Sequence, residues 1–164
     1  MIAIIIGLGN NNPQYKNTYH NVGFLMIDWL NTQQQKPQIN CLKTTGFMNE
    51  SGAKVQKMLR EFKQLPEQLL VVHDDSDIVL GQYKISFDRG AAGHKGVQHI
   101  IDQIGTKKFY RLRIGIRTET KTSARKKASE FVLQNIPKIN LKTLEGVFRQ
   151  AAMSIETKLR NPLE

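Results

Sequence analysis

The sequence predicts an α/β sandwich around a largely parallel sheet. Short β-branched runs alternate along the chain with segments whose apolar residues recur at helical spacing, and Gly, Asn or Pro marks many of the junctions. A length of 164 residues suffices for one domain of ordinary size and not for two, and 40% apolar residues can fill one core. The span 1–164 is therefore read as a single domain, without repeats, low-complexity tracts or linkers.

Ile2 to Leu8 reads as a buried strand, β-branched and uncharged, ended by Gly9 and the breaker Asn10-Asn11-Asn12-Pro13. Val22, Leu25, Met26, Trp29 and Leu30 place one apolar face on a helix over Asn21 to Leu30. Residues 31–46 are polar and irregular, apart from a short strand near Ile39 to Leu42. Asn49 or Ser51 can cap a helix running to Lys63, with Val55, Met58, Leu59 and Phe62 on one side. Pro66 breaks it, and Leu69 to Val72 is a second buried strand, followed by a loop over Asp74 to Asp77. Tyr83 to Phe87 alternates like a third strand. Gly90 to Gly96 reads as a loop into a helix with Val97, Ile100, Ile101 and Ile104 inward, and Leu112 to Ile116 is a fourth strand. A short helix is expected over Ala124 to Leu133. The longest helix is expected over Leu141 to Leu159, with Leu144, Val147, Phe148, Ala151, Ile155 and Leu159 in register.

The net charge of +10 is unevenly placed. Residues 1–104 hold ten Lys/Arg against nine Asp/Glu, whereas residues 105–127 hold nine basic residues against the single acid Glu119. Such a block creates a local positive potential suited to a polyanion, and a phosphate backbone is the commonest such partner. The bland alternative is a solvated basic face that keeps the protein soluble. A membrane surface fits poorly, because Thr118, Thr120 and Thr122 interrupt the stretch and it lacks a clean apolar helical face. The longest apolar run is far short of the ~20 residues a membrane span needs, and no basic leader precedes it. The lone cysteine, Cys41, excludes an internal disulfide and a four-cysteine zinc site. A reducing, cytoplasmic setting is expected.

In a fold of this kind chemistry collects in loops at the carboxyl ends of strands. The first strand delivers Asn10, Tyr15 and His20. The second delivers His73, Asp74, Asp75 and Asp77, and the third delivers the Gly90–Gly96 loop with His94 and Lys95. His20 is the candidate base, since an imidazole can take and return a proton near neutrality. Asp74, at a neighbouring strand end, could hold its other nitrogen. No serine or cysteine elbow accompanies them, so the nucleophile would be water. The residues alone leave open that His20 merely opens a helix and Asp74 merely caps a turn. No His-x-x-x-His occurs, and the Gly90–Gly96 loop lacks both G-x-G-x-x-G and a Lys-Ser/Thr ending, so neither a metal nor a mononucleotide cofactor is expected.

Six blocks in order resemble the bacterial-type peptidyl-tRNA hydrolases. They are Gly7-Leu8-Gly9-Asn10 with Tyr15, Thr18 to Gly23, Phe47 to Gly52, His73 to Asp77, Gly93-His94-Lys95-Gly96, and Arg111 to Ile116 followed by Phe131-Val132-Leu133. This resemblance implies a three-layer sandwich with a twisted, mostly parallel mixed sheet flanked by helices. It also implies hydrolysis of the ester between peptide and tRNA, without metal or cofactor, by a cytoplasmic monomer. By the family pattern His20 is the general base and Asp74 its partner. Asn10 and Asn49 position the peptide and the scissile carbonyl, Met48 lines the pocket, and Tyr15 and Lys95 join the substrate side. The tRNA acceptor arm is the implied partner, with Lys84, Lys107, Lys108, Arg117, Lys121, Arg125, Lys126 and Lys127 as phosphate contacts.

The chain departs from that pattern at several points. Lys95 stands where an asparagine is usual, so donors replace a donor–acceptor amide. Tyr19 replaces an arginine, Asn11-Asn12 replaces Pro-Gly, and Ser86 replaces a second lysine of a phosphate-binding strand, leaving Lys84 alone. The run from Asn31 to Gly46 is too short for the strands usually found there. These departures set up an alternative from another class: an impaired relative that binds RNA, for splicing or as a tRNA binder, without cleaving the ester.

Overall fold

The computed structural model describes residues 1–33, 39–118 and 131–160, without the side chains of residues 159 and 160. Five strands form one sheet: β1 (Ile4–Gly7), β2 (Asn40–Lys43), β3 (Leu69–Val79), β4 (Tyr83–Phe87) and β5 (Tyr110–Arg117). Their spatial order is β2-β1-β3-β5-β4, with every neighbouring pair parallel except β4 against β5. Four α-helices flank it: α1 (Val22–Thr32), α2 (Ser51–Glu61), α3 (Lys95–Ile104) and α4 (Lys138–Arg160).

Each face of the sheet carries its own core. Ile5, Leu70, Val72, Leu112, Ile114 and Ile116 point to α1 and α4, where they meet Met26, Ile27, Leu30, Leu144, Phe148 and Ile155. The alternate residues Ile4, Ile6, Leu69 and Val71 meet Val55, Leu59, Val97 and Ile100 of α2 and α3. A parallel sheet covered on both sides needs strands that are apolar throughout, and β1 and the first half of β3 are buried at every position. The result is the expected three-layer, mostly parallel mixed sandwich.

Three expectations need correction. Asp74 to Asp77 is not a loop: β3 runs on to Val79, pairing with β5 through Asp75, with a register irregularity between Asp75 and Val79. Three partners make strand conformation tolerable for Asp74 and Asp75: His20 and His94 on the first and the Arg113 guanidinium on the second. β4 does not deliver the Gly90–Gly96 loop at the carboxyl edge. It is antiparallel, so Phe87 ends level with Tyr110 at the opposite edge. The chain then climbs back through left-handed backbone at Asp88 (φ 53°), Ala92 (φ 50°) and Gly93 (φ 82°). Phe131 to Leu133 form a turn instead of the end of a helix, and the remainder of that expected helix, residues 124–130, lies outside the described residues.

Candidate active site

His20 is brought to Asp74 by a short chain of local causes. It lies in a 3-10 turn, Tyr19–Asn21, just ahead of α1. The His20 backbone N–H donates to the Val132 carbonyl at 2.8 Å, and that of Asn21 to the Thr18 carbonyl at 3.0 Å. One turn of chain further, Gly23 lets α1 rest directly on β3: a Cβ there would lie 2.4 Å from the Val72 carbonyl oxygen. Asp74 is two residues beyond Val72. The imidazole therefore meets the carboxylate, with Nδ1 of His20 donating to Oδ1 at 2.9 Å and lying 3.1 Å from Oδ2. The His20 side chain keeps 20% exposure while that of Asp74 keeps 5%, and Nε2 is the His20 ring nitrogen not taken by Asp74.

A second imidazole shares the carboxylate. His94 precedes α3 and accepts the Val97 backbone N–H on Nδ1 at 3.3 Å. That leaves the ring proton on Nε2, which donates to Asp74 Oδ1 at 2.9 Å. Burial pushes the Asp74 carboxyl up, but His94 and His20 outweigh it and hold it well below the usual carboxylate range. Burial likewise lowers His20, yet the Asp74 charge and hydrogen bond prevail and raise it, against an opposing push from the Lys95 ammonium. His73, wholly buried behind them, is driven well below its ordinary value by burial and then by His94. Its Nδ1–H donates to the Asp74 carbonyl at 2.6 Å, and its ring edge meets His94 at 4.6 Å between centroids.

The other expected site residues sit on separate turns and helix starts, and none of them makes a hydrogen bond to His20 or Asp74 among the described residues. Asn21 clamps Asn10 through both backbone groups: the Asn10 N–H donates to Asn21 Oδ1 at 2.7 Å, and Asn21 Nδ2 donates to the Asn10 carbonyl at 2.9 Å. The Asn10 side-chain oxygen accepts the Asn12 N–H at 2.9 Å, so its amide Nδ2 is the group left to donate. Met48 is buried in the turn before α2 and fits against Gly96 of α3, where a Cβ would come within 2.6 Å of its sulfur. Asn49 follows it, exposed, and Lys95 is exposed at the first position of α3. Tyr15 is half-buried in the turn Pro13–Tyr15, and no hydrogen bond joins its hydroxyl to the dyad among the described residues.

Among the described residues the expected phosphate contacts do not form one patch. Lys107 and Lys108 are exposed before the amino end of β5, and Arg117 is at its carboxyl end, roughly 23 Å away at ~3.3 Å per residue. Lys84 faces the middle, paired in register with Arg113. Lys121, Arg125, Lys126 and Lys127 lie outside the described residues. Sequence reasoning missed a cationic cavity of about 640 Å³ lined by Lys84, Ser86, Arg89, Arg111 and Arg113 among others. Arg111 is only 2% exposed. Its Nη1 finds no partner among the described residues, and burial followed by Arg113 lowers its pKa. The alternation of Arg111, Leu112, Arg113 and Ile114 was the available signal, since it puts both guanidinium groups on one face.

His20, Asp74 and His94 offer ligand atoms within 4.8 Å of one another. A metal there would have to take Nε2 of His94 from the proton that the Nδ1 cap fixes on it, so the donor chemistry fits a hydrogen-bond relay better than a metal centre.

The family model described as peptidyl-tRNA hydrolase matches residues 4–164. A peptidyl-tRNA hydrolase of Thermodesulfovibrio yellowstonii is 41% identical over 134 residues, 70% of this chain and 72% of the relative. One from Pseudothermotoga lettingae is 34% identical over 99% of this chain and 92% of its own. The crystal structure of the Acinetobacter baumannii peptidyl-tRNA hydrolase superposes with a TM-score of 0.82 at 26% identity, covering 99% of this chain and 90% of that one. On the strength of that nearly full-length match, the chain belongs to the peptidyl-tRNA hydrolase family.

Proposed function

We propose that the chain cleaves the ester between peptide and tRNA in peptidyl-tRNA by a water molecule that His20 activates. Family membership makes it a hydrolase acting on an ester bond, and nothing in the comparisons favours a relative that only binds RNA. The observation that carries the residue assignment is the held imidazole, with Nδ1 of His20 2.9 Å from the buried Asp74 carboxylate. A binding protein has no use for such a base.

In this reading Nε2 of His20 takes a proton from water as its oxygen bonds to the ester carbonyl carbon. Asp74 stabilises the imidazolium that forms. The negative charge gathers on the carbonyl oxygen, where the Asn10 Nδ2 donor, Asn49 and the Lys95 ammonium can meet it. Collapse of the intermediate breaks the bond to the ribose oxygen, which receives the proton from His20, and a free peptide carboxyl and an intact tRNA leave. Met48 lines the pocket and Tyr15 flanks it. The acceptor arm is the proposed partner of the basic residues, with Lys84 of β4 and Lys107, Lys108 and Arg117 near the two ends of β5 as phosphate contacts, and Lys121, Arg125, Lys126 and Lys127 assigned the same role from the sequence. Those contacts supply affinity without reading sequence. No membrane-crossing helix is present among the described residues, and a cytoplasmic monomer is the proposed working form.

The test is turnover of a defined peptidyl-tRNA with EDTA present, wild type beside His20→Ala. Hydrolysis by the first, with loss of turnover and retained tRNA binding by the second, supports the assignment. Full activity in the variant removes it.

A further inference from the structure

We propose that His94 is a positioning residue that divides the Asp74 carboxylate with His20 and thereby sets how tightly the base holds its proton. The inference rests on the reading of His20 as the base and adds a third member to its support.

The geometry is specific. Asp74 Oδ1 accepts from Nδ1 of His20 and from Nε2 of His94, each at 2.9 Å. Two donors on one oxygen compete for its charge, so each feels a weaker acceptor than it would alone. His94 cannot turn away, because Nδ1 is committed to the Val97 N–H at the start of α3 and the edge of His73 abuts its ring. Its ring also stands beside that of His20, with centroids 5.3 Å apart and planes inclined by 40°. The two imidazoles are therefore braced against each other across one carboxylate.

Other charged or titratable groups do not replace this role. Lys95, exposed at the start of α3, opposes a proton on His20. His73 of β3 uses its N–H on the Asp74 backbone carbonyl and leaves the carboxylate alone. Asp75 is occupied by Nε of Arg113 at 2.7 Å and by the Asp77 N–H at 2.8 Å. Arg111 of β5 opposes a proton on His73 electrostatically. His94 is thus the group on the carboxylate oxygen besides the base itself among the described residues.

Two substitutions separate its two nitrogens. An asparagine side chain can place its oxygen where Nδ1 caps α3 but is too short to reach Asp74. A glutamine side chain can place its amide N–H where Nε2 meets Asp74 while giving up the cap. The experiment measures kcat/KM on peptidyl-tRNA from pH 5 to 9 for wild type, His94→Asn, His94→Gln and His20→Ala, with thermal melts for each. Positioning predicts that His94→Asn moves the acidic limb upward by about half a pH unit, because Asp74 then belongs to His20 alone, and lowers the plateau about tenfold as the ring loses its brace. His94→Gln keeps the wild-type limb. If His94→Gln is the impaired variant and His94→Asn is normal, His94 only caps α3 and the proposal fails. It fails too if both variants show the wild-type limb, or lose rate with no movement of it, while His20→Ala is inactive. An active His20→Ala overturns the base assignment itself. Should His94→Asn not fold, nitrogen-resolved NMR of the wild-type histidines decides: His94 carrying its proton on Nε2 supports the proposal, and a proton on Nδ1 overturns it.

Discussion

Replacing Asp74 by asparagine removes one charge from the centre of the site and almost no volume. Asp74 is 4% exposed and its carboxylate accepts His20 Nδ1 at 2.9 Å and His94 Nε2 at 2.9 Å. In the transition state His20 becomes a cation against it. A charge pair at about 4 Å with an effective dielectric constant of about 20 is worth ~4 kcal/mol. At ~1.4 kcal/mol per decade, Asp74→Asn should lower kcat by about 10³-fold. The pH profile must move as well. Asp74 is what raises His20, while burial and Lys95 push it down. Without the charge the imidazole loses its proton at lower pH, so the acidic limb of kcat/KM should shift to lower pH. Initial rates on a defined peptidyl-tRNA between pH 5 and 9 measure both effects. A loss under tenfold, or a limb that moves to higher pH, would show that Asp74 does not support the base.

Three further outcomes follow from individual side chains. Lys95→Asn removes an ammonium that opposes protonation of His20, so the acidic limb should rise and turnover should fall about tenfold. An equal or faster rate would mean that the lysine merely fills the place of an amide. His73 is neutral and wholly buried, its pKa pushed well below 6.5, so the unfolded chain binds more protons than the folded one below that pH. Stability conferred by the neutral ring is complete above pH 6.5 and falls by ~1.4 kcal/mol per pH unit below it. Melts of His73→Asn at pH 7.5 and 5.5 should accordingly show a smaller acid loss than wild type, and an identical loss rules the ring out as its source. Lys84→Gln should weaken tRNA binding and reduce the slope of log affinity against log salt by about one, with kcat at saturation unchanged. An unaltered slope would place Lys84 away from phosphate.

The parts of this molecule legible in the sequence are those where one physical demand acts alone. Ile4 to Ile6 and Leu69 to Val72 must be apolar on both faces because helices cover both, and they read as strands at once. The α/β pattern suggested that His20 could meet Asp74, but the residues alone left open that each served only its own turn, and it was the family resemblance that gave the pair its roles. Asp74 to Asp77 was misread because acidic residues argue against a strand when their partners are unknown. His94 and Arg113 are those partners, and both are remote in sequence. His94 was named with the Gly90–Gly96 loop but given no role, for a related reason. Its role depends on which ring nitrogen carries the proton, and that is fixed by a cap on Val97 that only the folded backbone reveals. Arg111 was counted with a solvent-facing cationic block, yet β5 turns it inward beside His73 and leaves it 2% exposed.

The two imidazoles on Asp74 come from opposite sides of the sheet, His20 from the layer of α1 and α4 and His94 from that of α2 and α3. With His20 as the proposed base, ester cleavage is coupled to the docking of both layers. A molecule in which either helical layer has loosened would retain most of its hydrogen-bonded backbone and much of one core. Its base would nonetheless be misaimed, so chemical competence is confined to the fully assembled sandwich.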